Sequence, residues 1–286
     1  VTGDGITGAA LVNHPDINKV AFTGSTEVGK AIARSISATK KSATLELGGK
    51  AANLVFDDAA IDEAVEGIVN GIFFNQGHVC CAGSRLLVQE SVADEVLRKL
   101  KMRLRHLRVG DPLDKNTDIG AINSRAQLKR ITALVASGVR EGATLHQPAC
   151  VLPEKGFYFR PSVFSDVTMS HRIAREEIFG PVISIIRVPN IERAIEIENA
   201  NPYGNASSVY TTSGEVARRV MDRVDAGMCG VNIGVPVPRE PFGFGGWNDS
   251  AFGHGNITGW DGYRFWTRQR KITSKWALQR DRTWMS

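Results

Sequence analysis

Apolar and polar positions along the chain follow two alternating periods. Short apolar runs rich in β-branched residues are typical of buried strands, and the longer segments between them repeat apolar residues every three to four positions, which is typical of amphipathic helices. The strand-like runs are KVAFTG (19–24), SATLEL (42–47), ANLVF (52–56), RLLVQ (85–89), PVISIIRV (181–188), ASSVYTT (206–212) and MCGVNI (228–233). This alternation predicts an α/β architecture built in layers.

The clearest helical period follows the third of these runs. Asp57 and Asp58 come just before it and are its predicted N-caps. The apolar residues at helical spacing, which fall on one face, are Ile61, Ala64, Val65, Ile68, Val69, Ile72 and Phe73. The predicted helix leads directly into two adjacent cysteines.

Further helices are predicted along the chain. Capping residues indicate helices after Ser91 with Asp94, after Asn190 and after Ser213, and another helix is predicted over about 124–140. Beyond Val235 the sequence becomes rich in glycine and aromatic residues, and the alternation in RKITSKW (270–276) predicts an edge strand.

Composition narrows the class of protein. The chain has 286 residues, of which 42% are hydrophobic and 23% charged, and no apolar run approaches the roughly 18 to 20 residues of a membrane span. The net charge of +5 comes without stacking aromatics among the basic segments, which argues against nucleic-acid binding. Four irregularly spaced cysteines suit neither a disulfide framework nor a metal site. We therefore expect a cytoplasmic protein with reduced thiols, no metal, no membrane and no nucleic-acid partner.

The segment FFNQGHVCCAGSR (73–85) holds the candidate for chemistry. Adjacent cysteines make a poor disulfide, and a free cysteine is most often a small buried apolar residue. Here the flanking glycines and amides provide flexible backbone and donors that could serve a reacting carbonyl. A nucleophilic thiol would need a donor-rich pocket or a nearby base, and spacing alone leaves open whether Cys80 or Cys81 reacts.

Three other segments carry weaker signals. Glu46 ends a predicted strand in LELGGK and could activate water only if the fold returns it to the cysteines. FTGSTEVGKA (22–31) joins a strand to a helix start that could hold a phosphate, although it matches neither a Walker loop nor the pattern GxGxxG. In REEIFGPV, Glu176 or Glu177 could bind a ribose, and each could equally be an ordinary helix end.

These four segments together resemble the aldehyde dehydrogenase superfamily along nearly the whole chain. The motifs FTGSTEVG, LELGGK, FFNQGHVCCAGSR and EEIFGPV occur in that order in the family. In the family pattern the nucleophile is followed by one residue and then Ala-Gly-Ser, which selects Cys80 and leaves Cys81 as a packing neighbour.

The resemblance implies a role for each matching residue. Glu46 would be the general base and Cys80 the nucleophile in an NAD(P)-dependent oxidation of a small-molecule aldehyde to a carboxylate, through a thiohemiacetal and a thioester. The implied cofactor-binding residues, for NAD or NADP, are Gly24, Ser25, Leu47, Glu177 and Phe179.

The last third of the chain is similar to the methylmalonate-semialdehyde dehydrogenase branch, which transfers its acyl group to coenzyme A. That branch typically has an arginine just before the nucleophile, whereas Val79 stands here. A hydrolytic enzyme is therefore the first expectation and the CoA-acylating enzyme the second. Val79 and Phe244 would line an apolar substrate pocket, although Phe244 could equally pack in the core.

The resemblance also implies a domain plan. It is an α/β three-layer fold in which an incomplete Rossmann-type cofactor domain (1–48) precedes a thiol catalytic domain (49–248) and a C-terminal oligomerisation arm (249–286). In the family that arm adds a strand across a dimer, so an intact protein would be a homodimer or homotetramer. Compared with the family the chain lacks roughly the first two-fifths, so a catalytically silent fragment is the third expectation.

Overall fold

The computed structural model describes residues 1–276. The α-helices are α1 (Gly5–Asn13), α2 (Thr26–Ile36), α3 (Ile61–Phe73), α4 (Glu90–Leu104), α5 (Arg125–Arg140), α6 (Arg172–Arg175), α7 (Ile191–Asn199), α8 (Gly214–Met221) and α9 (Gly259–Trp266). The strands are β1 (Lys19–Thr23), β2 (Ser42–Glu46), β3 (Ala52–Val55), β4 (Arg85–Gln89), β5 (Thr144–His146), β6 (Ser162–Ser165), β7 (Val182–Val188), β8 (Tyr203–Gly204), β9 (Ala206–Tyr210), β10 (Met228–Val231), β11 (Trp247–Asn248) and β12 (Ala251–Gly253). Strands and helices alternate as predicted.

A seven-stranded sheet with the order β10-β9-β3-β4-β7-β6-β5 forms the centre. Its strands are parallel except for β5, which runs antiparallel to β6. Consecutive residues of β3 point to opposite faces of this sheet. Leu54 packs in one apolar cluster with α5, α7 and α8, and Val55 packs in another with α3 and α4. Helices thus cover both faces, as a parallel sheet requires, and the predicted α/β three-layer fold is confirmed.

A smaller sheet lies beside the large one. β1 pairs in parallel with β2, and β12 returns from the far end of the chain to pair antiparallel with β2. α2 covers this sheet with Ile32 and Ile36, which pack against Leu45 and Leu47. β2 ends at Glu46, so the small sheet brings one predicted site residue to its edge.

The predicted caps are partly confirmed. The predicted caps Asn190 and Ser213 each accept a backbone N–H in the first turn of the helix that follows, and Ser124, for which no cap was predicted, does the same for α5. The prediction that Asp57 or Asp58 caps α3 is wrong, because α3 begins after Ala60 without a side-chain cap. The Asp58 carboxylate instead accepts bonds from a distant loop, where it holds residues 211–213.

The cap prediction for Ser91 is also wrong. α4 begins at Glu90, one residue before the predicted Ser91 cap, and the side chain of its N-cap Gln89 bonds to Asp57 and not to the helix. In this single chain, residues 268–276 have no regular secondary structure. The edge strand predicted over 270–276 needs a neighbouring backbone, which the prediction placed on a second chain, so this strand stays a prediction. The remainder of the predicted C-terminal arm, 277–286, lies outside the described residues.

Among residues 1–276, none of the helices is both long and apolar enough to cross a membrane.

Candidate active site

The two cysteines follow a tight turn at the end of α3. Helix α3 runs into a 3-10 turn (Phe74–Gly77) in which Asn75 and Gln76 have left-handed φ values of 47° and 46°. Gly77 has a φ of 77°, and a β-carbon there would collide with the carbonyl group of Gly180. Only glycine fits this position, so the turn holds the cysteine segment at a fixed distance from the chain around Gly180.

The structure separates the two thiols by environment. Cys81 is 2% exposed and packs with Ala51, Ala206 and Met228, whereas Cys80 is half-buried at the rim of that cluster. The neighbouring Cys81 thiol, helped by backbone N–H groups, lowers the pKa of Cys80 against the opposing effects of burial and of Glu177. The hydrogen bond with the Cys80 thiol, together with burial, raises the pKa of Cys81. Cys80 is therefore the thiol that ionises more readily.

Glu46 lies at the end of β2 with its side chain 2% exposed. Neither carboxylate oxygen has a hydrogen-bond partner among the described residues. Burial raises the pKa of Glu46 to about 7, the nearby Gly246 N–H opposes this without reaching full hydrogen-bond geometry, and the charge of Cys80 raises it further. The fold thus returns Glu46 to the cysteine segment, with a pKa suited to accepting a proton near neutral pH.

Glu177 reaches the same region from the loop after α6. Its Oε1 accepts the Gly49 N–H at 3.0 Å, and a β-carbon on Gly48 would lie only 2.5 Å from its Oε2. Burial raises the pKa of Glu177, whereas the Gly49 N–H and the charges of Lys50 and Arg130 lower it. The two glycines of LELGGK therefore leave room for a carboxylate from 128 residues away.

Phe179 stands two residues further along this loop. It has a φ of 52°, and its ring lies 5.0 Å from the His78 ring beside the cysteines. The Gln127 side chain of α5 donates to the carbonyl groups of Ile178 and Phe179 at 3.0 and 2.9 Å. These bonds hold the predicted cofactor-binding ring next to the cysteine turn.

The remaining predicted cofactor residues lie around the small sheet. Gly24 follows β1 and donates its N–H to the Glu46 carbonyl at 3.0 Å, and the Ser25 hydroxyl caps α2 by accepting the Val28 N–H. Leu47 is buried, and its N–H donates to the Ser250 carbonyl at 2.7 Å. Gly24 and Ser25 thus follow the strand that pairs with the Glu46 strand, at the N-terminus of α2.

The two predicted pocket residues contact the thiol cluster. Val79, Cys80 and Phe244 all pack against the group that contains Cys81 and Met228. Phe242 and Trp247, the aromatic neighbours of Phe244 in sequence, are 71% and 54% exposed. Of these three aromatic residues, Phe244 is the one that joins the wall beside the cysteines.

Sequence reasoning missed three polar residues near this site. Lys50 is buried, its Nζ has no hydrogen-bond partner within residues 1–276, and burial together with Arg85 lowers its pKa to about 7. Asn205 is 2% exposed, and neither atom of its amide has a partner among the described residues. Asn256 approaches Glu46 across Gly245. Lys50 stands inside a quoted motif, but nothing in the sequence around Asn205 or Asn256 indicates these positions.

Fold and site together define a class of α/β protein in which a half-buried cysteine lies beside a buried carboxylate near a parallel sheet. The chain belongs to the aldehyde dehydrogenase family, whose family profile matches residues 1–272. The resemblance stated from the motifs is thereby confirmed.

Named relatives support the same membership. The chain is 41% identical over 259 residues to a betaine aldehyde dehydrogenase of Rhizobium leguminosarum bv. trifolii, a match that covers 90% of this chain and 53% of the relative. A crystal structure of an NAD-dependent aldehyde dehydrogenase from Sinorhizobium meliloti superposes with a TM-score of 0.90 at 35% identity, covering 100% of this chain and 56% of the other. The crystal structure of methylmalonate-semialdehyde dehydrogenase from Oceanimonas doudoroffii gives a TM-score of 0.94 at 31% identity, covering 97% and 58%. The chain thus spans about half the length of these proteins.

Proposed function

We propose that this chain carries the thiol site of an NAD-dependent aldehyde dehydrogenase that converts an aldehyde to a carboxylate. The observation that carries the proposal is the proximity of Cys80 and Glu46, which are close enough for the charge of Cys80 to raise the pKa of Glu46. One is the more acidic thiol of the pair, and the other is a buried carboxylate without a hydrogen-bond partner in the described chain and with a pKa raised to about 7. This pair supplies a nucleophile and a general base.

Cys80 would begin the reaction as a thiolate, its proton having passed to solvent, and would attack the aldehyde carbon; the carbonyl π bond breaks and gives a thiohemiacetal whose oxygen carries the negative charge. The Cys80 backbone N–H would stabilise the negative charge that develops on that oxygen. When bound, NAD⁺ would accept the hydride that leaves the thiohemiacetal carbon as the thioester forms. Glu46 would then take a proton from water, and the water oxygen would displace Cys80 to release the carboxylate.

The residues present fit a dinucleotide. The Glu177 carboxylate reaches the space above Gly48, where any larger side chain would displace it. Gly24 and Ser25 stand at the N-terminus of the eleven-residue helix α2, whose N–H groups and dipole favour a phosphate. We assign Glu177 to the ribose, Phe179 and the Leu47 backbone to the nicotinamide side, and Gly24 with Ser25 to the pyrophosphate. The NAD-dependent relative favours NAD over NADP.

A second candidate is transfer of the acyl group to coenzyme A. The similarity to methylmalonate-semialdehyde dehydrogenase favours it, and so does a relative named malonate-semialdehyde dehydrogenase 2 from Geobacillus kaustophilus, which is 34% identical over 269 residues. Against it, the apolar Val79 beside Cys80 offers no charge for a substrate carboxylate. Hydrolysis therefore remains the first proposal.

The domain plan also remains a proposal. The division near residue 48 separates β1 and β2 of the small sheet from the seven-stranded sheet, and the arm from 249 contains β12, which pairs with β2. We further propose that the complete protein is a homodimer or homotetramer. Size-exclusion chromatography with light scattering of the full-length protein would measure this.

Two matched serine variants test the site. With NAD⁺ and propanal, betaine aldehyde or malonate semialdehyde, Cys80→Ser should abolish NADH formation and Cys81→Ser should retain it. Mass spectrometry of Glu46→Gln should show an acylated Cys80 that persists. Addition of coenzyme A distinguishes the acceptors, because only the second candidate would form an acyl-CoA. NADH formation by Cys80→Ser at the wild-type rate would refute the proposal.

A further inference from the structure

Asn256 and Asp261 form a hydrogen-bonded pair close to Glu46. Asp261 lies in the first turn of α9, and its Oδ2 accepts the Asn256 side-chain Nδ2 at 3.0 Å and the Asn256 backbone N–H at 3.4 Å. Both residues are half-buried. Asn256 is therefore tied to α9 by two bonds and has little freedom to rotate.

The bond to Asp261 fixes which way the Asn256 amide faces. An ionised carboxylate only accepts hydrogen bonds, so the NH₂ group must point to Asp261 and Oδ1 must point away. On that other side stands Gly245, where a β-carbon would collide with Asn256 Oδ1 and would lie 3.2 Å from Glu46 Oε1. The two oxygens are consequently no more than about 5 Å apart, which is within reach of a direct bond or of one bridging water.

Two acceptor oxygens this close together can form a hydrogen bond only if one of them carries a proton. Asn256 Oδ1 can only accept, and so can an ionised Glu46, whereas a protonated Glu46 has an O–H to donate. We propose that Asn256, oriented by Asp261, is a positioning residue that accepts the hydrogen bond of protonated Glu46, directly or through one water. Gly245 is the spacer that lets the two side chains approach.

The surroundings of Glu46 leave few competing charges. From the cysteine segment the titratable group near it is Cys80, and from the 245–246 loop the backbone N–H of Gly246 approaches it. The strand neighbours in register with Glu46 are Thr23 on β1 and Ala251 on β12, which carry no charge. Burial, Cys80 and Asn256 therefore favour the protonated form, and the Gly246 N–H favours the ionised form.

The inference deepens the proposed function, since it assigns a partner to the proposed general base. In the deacylation step Glu46 ends with the proton that it has removed from water. An acceptor already aimed at that proton would stabilise this state, and Asn256 would do so without adding a charge. The inference rests on the proposed role of Glu46, but its test follows the protonation of Glu46 itself and needs no turnover.

The experiment is a pH titration of the chain with ¹³C in the glutamate side-chain carboxyl groups, read by NMR. Glu46→Gln identifies the Glu46 signal by removing it. Asn256→Ala deletes the acceptor, and the midpoint of the Glu46 titration should fall from about 7 by about 0.4 to 1 pH unit, the equivalent of one net hydrogen bond. Asp261→Ala frees the amide to turn its NH₂ group toward Glu46, so this midpoint should fall as well.

A double variant that exchanges the residues at positions 256 and 261 distinguishes a positioning role of Asn256 from a packing role. In Asn256→Asp with Asp261→Asn, the amide introduced at position 261 can donate to the carboxylate introduced at position 256, which keeps an acceptor aimed at Glu46. The midpoint should return to the wild-type value or rise above it. A purely structural role would leave the exchanged chain no better than the single variants.

The matched control is the exposed pair Asn116 and Asp114, in which Asn116 Nδ2 also donates to a carboxylate at 3.0 Å. Asn116→Ala should leave the Glu46 midpoint unchanged. If Asn256→Ala leaves the Glu46 midpoint at the wild-type value, the inference is overturned whether or not the chain oxidises aldehydes. If the midpoint falls while aldehyde oxidation is absent, the pairing stands and the proposed function fails.

Discussion

Replacing Glu46 by glutamine should stabilise the fold at alkaline pH. Neither Glu46 oxygen has a hydrogen-bond partner within the described residues, and its side chain is 2% exposed, so an ionised Glu46 is a buried and poorly solvated charge. Glutamine has nearly the same shape and carries no charge. The substitution thus removes the cost of ionisation and leaves the packing almost unchanged.

The magnitude follows from the raised pKa. In the unfolded chain Glu46 ionises near its ordinary value of 4.5, whereas in the folded chain it keeps its proton up to about pH 7. Between these values the unfolded state has lost the proton and the folded state has not, so rising pH destabilises the wild-type fold. At 1.36 kcal/mol per pH unit the full loss is about 3 kcal/mol, complete above about pH 7 and absent below about pH 4.5.

Urea unfolding followed by circular dichroism measures this effect. The free energy of unfolding of Glu46→Gln minus that of wild type should grow by about 2.5 kcal/mol between about pH 5 and about pH 8.5. Glu154→Gln, at an exposed loop glutamate, is the matched control and should give a flat difference. A flat difference for Glu46→Gln would show that Glu46 titrates at its ordinary value in the folded chain, which would refute the reasoning about its environment.

Two further substitutions test the surroundings of the site. Gly48→Ala places a methyl group 2.5 Å from Glu177 Oε2 and should displace that carboxylate, which weakens NAD⁺ binding about 10- to 100-fold in calorimetry while the circular dichroism spectrum is retained. Arg85→Met leaves the buried carboxylate of Glu198 without its ion-pair partner and should lower the free energy of unfolding by about 3 to 5 kcal/mol in urea. The double variant Arg85→Met with Glu198→Leu should recover most of that loss.

Matched controls exist for both substitutions. Gly8→Ala adds a methyl group in α1 where no atom of the part of the chain that the structure describes lies within 4 Å, and it should leave NAD⁺ binding unchanged. Arg187→Met breaks partly exposed ion pairs with Glu90 and Asp94 and should change the free energy of unfolding by no more than about 1 kcal/mol. Equal losses for Arg85→Met and Arg187→Met would contradict the assigned difference in burial.

The layered architecture could be predicted from the sequence because the spacing of apolar residues matches their burial in the fold. Apolar runs such as 182–188 are buried on both faces, and that is the pattern of a covered parallel strand. Caps were predicted correctly where the side chain bonds only to its own helix, as at Asn190 and Ser213. The prediction for Asp58 was wrong because its carboxylate bonds to a loop 153 to 155 residues away, which local spacing cannot indicate.

The candidate site likewise combines features that the local sequence indicates with contacts that only the folded chain brings together. The cysteine turn is local, so its glycines and amides could be identified from the sequence as unusual. The approach of Glu177 to Gly49 spans 128 residues, and the approach of Asn256 to Glu46 depends on the return of β12 to β2. The family resemblance implied a cofactor role for Glu177 but not its contact with Gly49. The approach of Asn256 to Glu46 also required the folded chain, because an asparagine before a short helix is an ordinary capping residue in sequence.

The junction between the two sheets explains why these distant residues hold their positions. Ser250, just before β12, accepts the Gly204 N–H at 3.1 Å and donates to the Gly48 carbonyl at 2.7 Å. Arg85 at the start of β4 donates to the Lys50 carbonyl at 2.7 Å. The backbone of the turn after β2 is thus fixed by Ser250, which precedes β12, and by Arg85 of β4 in the seven-stranded sheet. The position of the Glu46 carboxylate therefore depends on the bonds that Ser250 makes to Gly48 and Gly204. Substitutions at Ser250 should consequently alter the midpoint of the Glu46 titration, even though Ser250 carries no charge.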